Sequence, residues 1–151
     1  MNSILNGRQL ILGSKSPRRS QLLKELDLKF TIRVENTDES YPDDLDVYKV
    51  AEYIAINKAK ALTSRLRDGE VLITADSVVI CDGIIYGKPS DDNEAKQYII
   101  ALAGSTHQVV TGVCLLEGDS MVSFSETADV KIASISDEEV EYYVGKYLPI
   151  D

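Results

Sequence analysis

Residues 11–19, ILGSKSPRR, constrain the fold of this chain more than any other segment. An apolar run from Gln9 to Leu12 ends at a glycine, and a serine-proline pair follows it. Ser16 is a favourable N-cap, and Pro17 suits the first helical position, where its missing N–H costs nothing. Leucines at helical spacing come next, at Leu22, Leu23 and Leu26. The segment therefore predicts a strand, a tight turn and a helix.

The start of this helix carries groups that favour an anion. Ser14 and Ser16 offer hydroxyls, Arg18 and Arg19 offer guanidinium groups, and the first helical turn has unpaired N–H groups. Two arginines in a first turn oppose the helix dipole, and a bound anion would remove this conflict. The segment therefore predicts a site for a phosphate chain. The alternative is an ordinary capped helix, since serine caps are common.

Composition narrows the classes of partner. The chain has 151 residues, 44% of them hydrophobic, and a formal net charge of -9. This describes one globular domain with a real core, and the negative charge disfavours tight, sequence-independent binding of nucleic acid. No apolar run approaches the roughly 20 residues that span a bilayer, so no membrane partner is expected.

The few cysteines and the single histidine bear on two kinds of chemistry, metal binding and base catalysis. Cys81 and Cys114 lack the spacing of metal ligands, which favours a reduced, cytoplasmic setting. His107 is the only histidine, so a histidine base or a histidine metal cluster is nearly excluded.

The remaining pattern predicts an α/β fold. Periodicity and turn signals predict strands at residues 30–34, 71–75, 84–86, 106–116 and 121–133, and the strand at 71–75 continues as an extended segment to residue 81. Helices are predicted at residues 47–66, 90–103 and 136–148. The cap of the third predicted helix is Ser90, and Asp82-Gly83 is a hairpin turn. Because strands and helices alternate irregularly, we expect a mixed, twisted sheet flanked by helices.

Three polar residues stand where apolar ones are expected. Lys58 lies on the inward face of the long helix, Asp76 closes an apolar strand, and Lys88 precedes a proline. Each has a plain alternative: a lysine that extends to the surface, a turn-forming aspartate and a solvated loop lysine. Together they supply cations for a triphosphate and a carboxylate for the attacking water, as phosphoanhydride hydrolysis requires.

An acidic loop supplies candidate ligands for a divalent metal. Its carboxylates are Asp38, Glu39, Asp43 and Asp44, and the alternative is a solvated acidic loop. The P-loop signature is missing from the sequence, so this is not a P-loop enzyme.

Six ordered motifs resemble those of the Maf nucleotide pyrophosphatases. The segment SKSPRR is similar to the family's S-x-S-P-R-R signature. The other matching motifs are Glu39, Asn57-Lys58-Ala59, Ala75-Asp76-Ser77, Gly87-Lys88-Pro89, and the segment 104–112 with its GSTHQV and TG. The resemblance covers essentially the whole chain. It implies an inosine triphosphatase-like fold and a cytoplasmic, dimeric enzyme that cleaves nucleoside triphosphates to monophosphate and pyrophosphate with Mg²⁺ or Mn²⁺.

The resemblance also implies residue roles. Asp76 would be the proton acceptor, with Lys58 and Lys88 as catalytic cations. Phosphate contacts would come from Ser14, Arg18, Arg19, Lys58 and Lys88. Arg18 and Ser77 would influence base choice, although the family usually has threonine at the position of Ser77. Glu39 and Asp76 would hold the metal.

The substrate implied is a pyrimidine nucleotide. The branch that acts on 7-methyl-GTP typically carries a tryptophan and an S-D-Q motif, whereas this chain has no tryptophan and reads Ala75-Asp76-Ser77. It therefore resembles the branch that hydrolyses dTTP, UTP and modified pyrimidine nucleotides. The alternatives are a 7-methyl-GTP pyrophosphatase and a non-catalytic nucleotide-binding regulator of cell division.

The resemblance extends to the end of the chain with one departure. The family continues past Asp151 with a K-A-G-x-Y-G-I-Q segment and closing strands. Residues 1–151 are therefore expected to form a single Maf-like domain that lacks this C-terminal segment. The same departure predicts an exposed strand edge, self-association and little turnover, with the homodimer belonging to the full-length form.

Overall fold

The computed structural model describes residues 7–87, 91–131 and 138. Its elements in chain order are β1 (Gln9–Leu12), α1 (Pro17–Glu25), β2 (Phe30–Ile32), α2 (Val50–Leu62), β3 (Glu70–Cys81), β4 (Ile84–Tyr86), α3 (Asp92–Leu102), β5 (Thr106–Glu117) and β6 (Ser120–Lys131). Short 3₁₀ turns, Val47–Lys49 and Thr63–Arg65, flank α2. Among the described residues, no helix is both long and apolar enough to cross a membrane.

The strands form a mixed six-stranded sheet, which confirms the predicted α/β class. The strand order is β2-β1-β3-β5-β6, and β4 pairs with β3. β1 pairs in parallel with both β2 and β3, whereas β4 runs antiparallel to β3. The described residues fall into two compact units. The first unit contains the described residues up to Asp76 together with Thr111–Glu126. The second unit contains Ser77–Val110 and the described residues from Thr127 onward.

The core of the first unit is formed where α2 packs on the sheet. Its buried cluster consists of Ile11, Ala55, Ala59, Leu62, Leu72, Cys114 and Leu116. Alanines at every fourth position of α2 (Ala51, Ala55 and Ala59) share one face and are fully buried, so the helix backbone approaches the strands closely. Gly112 on β5 shows how close this approach is, since a Cβ there would overlap the backbone of Ala51 and Glu52.

In the second unit, tight turns position β4 and α3. Asp82 and Gly83 both have positive φ, 51° and 76°, which is typical of the predicted hairpin turn. The N-cap of α3 is Asp91, whose carboxylate accepts from the Glu94 N–H at 2.8 Å. The predicted cap at Ser90 is therefore wrong by one residue: the carboxylate of the next residue satisfies the free N–H and favours the helix dipole.

The strand that carries Asp76 is longer than the sequence predicts. Residues 71–75 and the extended segment after them form one strand, β3, so Asp76 lies inside a strand and does not close it. The parallel pairing with β1 ends at the register pair of Leu12 with Ile73, and the antiparallel pairing with β4 begins at Val79. Asp76 therefore lies just beyond the carboxyl end of the parallel pairing.

Other predicted boundaries shift at their ends. The predicted strand at 30–34 ends at Ile32, and the predicted long helix at 47–66 is α-helical only over Val50–Leu62. Gly104, with a φ of 75°, follows the end of α3 as predicted. The final helix predicted at 136–148 and the last two residues of the strand predicted at 121–133 lie outside the described residues, apart from Glu138. The single-domain assignment stays a prediction.

A two-pronged ion pair joins the end of β2 to the start of β3. The Arg33 guanidinium donates to both Glu70 oxygens, at 2.7 and 3.1 Å, and the Arg67 N–H donates to the same carboxylate at 2.8 Å. These hydrogen bonds, with that from Arg33 the largest cause, lower the pKa of Glu70 from 4.5 to about 2. Glu70 itself is buried, so the pair is shielded from solvent.

We expect Glu70→Gln to lower the melting temperature at neutral pH by a few degrees. The Glu70 carboxyl group has a lower pKa in the folded state than in the unfolded state, so it stabilises the fold at pH values above 4.5, the pKa in the unfolded state. This stabilisation disappears as the pH falls toward about 2. The gap between Glu70→Gln and the wild type should therefore close over that pH range. Glu117→Gln, which breaks the half-exposed pair with Arg8, is the matched control and should have little effect. An equal effect of both variants at neutral pH would contradict this account.

Candidate functional site

The turn between β1 and α1 is organised around Ser14. This serine is buried, and its Oγ accepts from the Ser16 N–H at 3.1 Å and from Arg19 Nη1 at 3.2 Å. Ser16 caps the helix as predicted, since its hydroxyl accepts from the Arg19 N–H, and Pro17 occupies the first turn. The Arg19 guanidinium is thereby held at the helix start, whereas Arg18 is exposed.

Lys58 on α2 reaches back to the sheet. Its Nζ donates to Ala75 O and Asp76 Oδ1, each at 3.3 Å, and lies 3.4 Å from Glu39 Oε1. Only 20% of the Lys58 side chain is exposed, so this lysine does not extend to the surface. The structure thus brings together three of the residues selected from the sequence: Lys58, Asp76 and Glu39.

The surroundings of Asp76 alter its proton affinity. Burial raises the pKa of Asp76 above its usual range, although the neighbouring Lys58 opposes the shift. The Glu39 carboxylate raises the pKa of Asp76 further, and the Arg19 charge lowers it slightly. Because its pKa is raised, Asp76 is a stronger base than an exposed aspartate, which suits it to accept a proton from water.

Glu39 and Asp76 form a two-carboxylate set. Within the residues described by the structure, no group of three His, Cys, Asp or Glu side chains could hold a metal. Mg²⁺ is nevertheless often bound by one or two carboxylates, with waters and substrate phosphates completing the octahedron. The pair therefore fits a metal that arrives with a phosphate substrate.

The other acidic-loop carboxylates have different settings. Asp38 accepts from the backbone N–H and the hydroxyl of Ser40, both at 2.9 Å, so it stabilises a local turn. Asp43 and Asp44 are exposed.

The other residues considered from the sequence include Lys88, Ser77 and His107. Lys88 lies outside the described residues. Ser77 is exposed on β3 directly after Asp76 and belongs to the second unit. His107, which the sequence analysis nearly excluded as a base, is buried on β5 of the second unit.

Sequence reasoning missed Thr74. This threonine is fully buried on β3, and its hydroxyl donates to Ala55 O of α2 at 2.7 Å. A single hydroxyl among the otherwise apolar residues 71–75 was the signal that could have identified it.

Residues 9–151 match the family model described as Maf, a Maf-like protein. A dTTP/UTP pyrophosphatase of Phocaeicola vulgatus is 42% identical over 144 residues, which are 95% of this chain and 75% of that protein. A dTTP/UTP pyrophosphatase of Porphyromonas gingivalis is 46% identical over 146 residues, which are 95% of this chain and 73% of that protein.

Two solved structures share the fold at low sequence identity. The Staphylococcus aureus Ham1 protein superposes with a TM-score of 0.59 at 16% identity, covering 83% of this chain and 72% of that one. A nucleoside-triphosphatase (dITP/XTP pyrophosphatase) of Mycobacterium abscessus gives a TM-score of 0.52 at 15% identity, covering 84% and 75%. The fold predicted from the resemblance is therefore confirmed.

We expect Asp76→Asn to unfold at the same or a higher temperature than the wild type at neutral pH. A carboxyl pKa that is raised in the folded state means that the ionised side chain costs stability above that pKa, and asparagine removes this cost while keeping the shape. The advantage should disappear in acid, where the wild-type carboxyl is protonated. Melting curves between pH 3 and pH 7 test this, with the more exposed Glu39→Gln as control. A lower melting temperature for Asp76→Asn at neutral pH would contradict the proposed environment of Asp76.

Proposed function

The chain belongs to the Maf family of Maf-like proteins, and we propose that it hydrolyses dTTP, UTP and modified pyrimidine nucleotides to the monophosphate and pyrophosphate. Such an activity removes unwanted nucleotides from the nucleotide pool. The observation that carries the proposal is the contact of Lys58 with Asp76, a cation beside a carboxylate of raised pKa. Relatives named dTTP/UTP pyrophosphatase, at 42% and 46% identity, support the reaction and the substrate class.

The proposed mechanism divides binding and proton transfer between two parts of the first unit. The Ser14–Arg19 turn binds the phosphate chain through backbone N–H groups, hydroxyls and the Arg18 and Arg19 guanidinium groups. Asp76 orients the attacking water and accepts its proton, and its raised pKa favours this transfer. Lys58 keeps Asp76 in position and neutralises charge that develops on the phosphates.

The same proposal includes a divalent cation, Mg²⁺ or Mn²⁺. Glu39 and Asp76 would hold it together with phosphate oxygens, and it would supply charge neutralisation for the leaving pyrophosphate. Lys58 lies between these two carboxylates, so it would have to move away from at least one of them when metal and nucleotide bind. We further propose that Lys88 contacts phosphate and that Ser77 and Arg18 influence base choice.

The cellular setting and assembly belong to the proposal as well. Cys81 and Cys114 are both free and buried, which fits a reducing, cytoplasmic compartment. The net charge of -9 disfavours nucleic acid as a partner. A homodimer of the full-length form is proposed from the resemblance alone, and analytical ultracentrifugation tests it directly.

We expect pyrophosphate, and no single phosphate, to be released from dTTP and UTP in the presence of Mg²⁺ or Mn²⁺. A panel of dTTP, UTP, CTP, GTP and 7-methyl-GTP separates the substrate branches, and chelation with EDTA should stop turnover. Release of single phosphate would contradict the reaction class. A preference for 7-methyl-GTP would instead favour the other branch, and tight binding without hydrolysis under any metal would favour a nucleotide-binding regulator.

Variants separate the two halves of the proposed site. Asp76→Asn should reduce kcat by about 100-fold or more while nucleotide binding is kept, because it removes the base and preserves shape. Arg19→Ala should mainly weaken nucleotide binding, because a charge-assisted contact to phosphate is lost. Calorimetric titration of a non-hydrolysable dTTP analogue measures binding for both variants. Normal turnover by Asp76→Asn would show that another group accepts the proton.

A further inference from the structure

Thr74 is a fully buried polar residue in the core of the first unit. A buried hydroxyl costs free energy unless it finds a hydrogen-bond partner. Here the Thr74 hydroxyl donates to Ala55 O of α2 at 2.7 Å. The side chain therefore links β3 to α2 through a hydrogen bond, a directional contact that apolar packing alone does not provide.

The hydrogen bond of Thr74 with Ala55 lies next to the contact of Lys58 with Asp76. Along α2, Ala55 comes three residues before Lys58, about one helical turn, and along β3, Thr74 comes two residues before Asp76. The two residues of β3 share one face of the strand because side chains alternate. The hydrogen bond of Thr74 thus joins the same two elements as the lysine, one step deeper in the core. It limits how far the base of Lys58 can move relative to Asp76.

The methyl group of Thr74 faces a third element. An added Cβ at Gly13 would lie 2.8 Å from Thr74 Cγ2 and 3.0 Å from Leu62 Cδ1. Gly13 directly precedes Ser14, and its N–H donates to Ile73 O of β3 at 2.9 Å. The methyl therefore supports the turn that leads into α1, while the hydroxyl on the same Cβ holds α2.

We propose that Thr74 is a positioning residue, which sets the spacing of Lys58 and Asp76 through its hydroxyl and supports the Gly13 turn through its methyl. It acts through these residues and does not itself contact the nucleotide. The inference rests on the proposed function and adds to it a residue that determines the geometry of the base.

Thr74→Val and Thr74→Ser separate the two groups of the side chain. Valine keeps the methyl against Gly13 but places a second methyl where the hydroxyl meets Ala55 O, so α2 has to move away. We expect at least a tenfold loss of kcat for dTTP, with KM changed by less than about threefold. Serine keeps the hydroxyl, so we expect kcat within about threefold of the wild type and a moderate rise in KM. Thr31→Val on β2, where the threonine is exposed, is the matched control and should leave both constants unchanged.

A purely structural role would give a different pattern. In that case both Thr74 variants would melt at lower temperature, while kcat of the folded fraction would stay at the wild-type value. Equal losses of kcat in the valine and serine variants would likewise overturn the proposal, because only one of them lacks the hydroxyl. Each assay is therefore run well below the melting temperature of the variant, with the folded fraction measured by circular dichroism.

A crystal structure of the Thr74→Val variant tests the proposal without any activity. We expect Lys58 Nζ to lie more than about 4 Å from Asp76 Oδ1, compared with 3.3 Å in the wild type. A distance unchanged from the wild type would overturn the positioning role. If the wild type releases no pyrophosphate from any nucleotide, the proposed function fails, and this structural comparison still decides the role of Thr74.

Discussion

The contact between Lys58 and Asp76 is the interaction on which the rest of the site depends. It joins α2 to β3 just beyond the point where the parallel pairing of β3 with β1 ends. The Asp76 carboxylate lies there within reach of the Lys58 ammonium group. Burial raises the pKa of Asp76, and the nearby ammonium group of Lys58 opposes this shift. The balance gives a carboxylate that binds a proton more readily than an exposed aspartate.

Close packing of α2 makes this contact possible. The buried alanines of the helix, and Gly112 opposite them, allow its backbone to lie against the strands. Because α2 lies so close to the sheet, the Lys58 side chain reaches Asp76 and Ala75 O of β3. It also reaches the carboxylate of Glu39 in the acidic loop. The site therefore follows from small residues in the core as much as from the charged residues themselves.

Local signals in the sequence predicted the local structure well. The Ser16 cap with Pro17, the Asp82-Gly83 turn and the glycine after α3 each act within a few residues, so their outcome depends little on distant parts of the chain. The position of Asp76 inside β3 could not be predicted in this way. It depends on where β1 and β4 stop and start pairing with β3, and those boundaries are set by other segments of the chain.

The same distinction applies to the site. Residue type and resemblance selected Lys58, Asp76 and Glu39, which the structure places together, but neither indicated that a single lysine lies between the two carboxylates. Thr74 was missed because its importance comes from tertiary contacts with Ala55 and Gly13, far from it in sequence.

A double-mutant cycle on kcat measures most directly whether Lys58 and Asp76 act as one unit. The cycle compares Lys58→Met, Asp76→Asn and the double variant with the wild type, using a radiolabelled pyrimidine triphosphate to detect slow turnover. Residues that act as a unit give strongly non-additive losses. The account predicts that the loss of kcat in the double variant is clearly smaller than the product of the two single losses, because without Asp76 the lysine has no base to position and keeps only its effect on the phosphates. Losses that multiply across the two substitutions would contradict it, because the two side chains would then contribute independently.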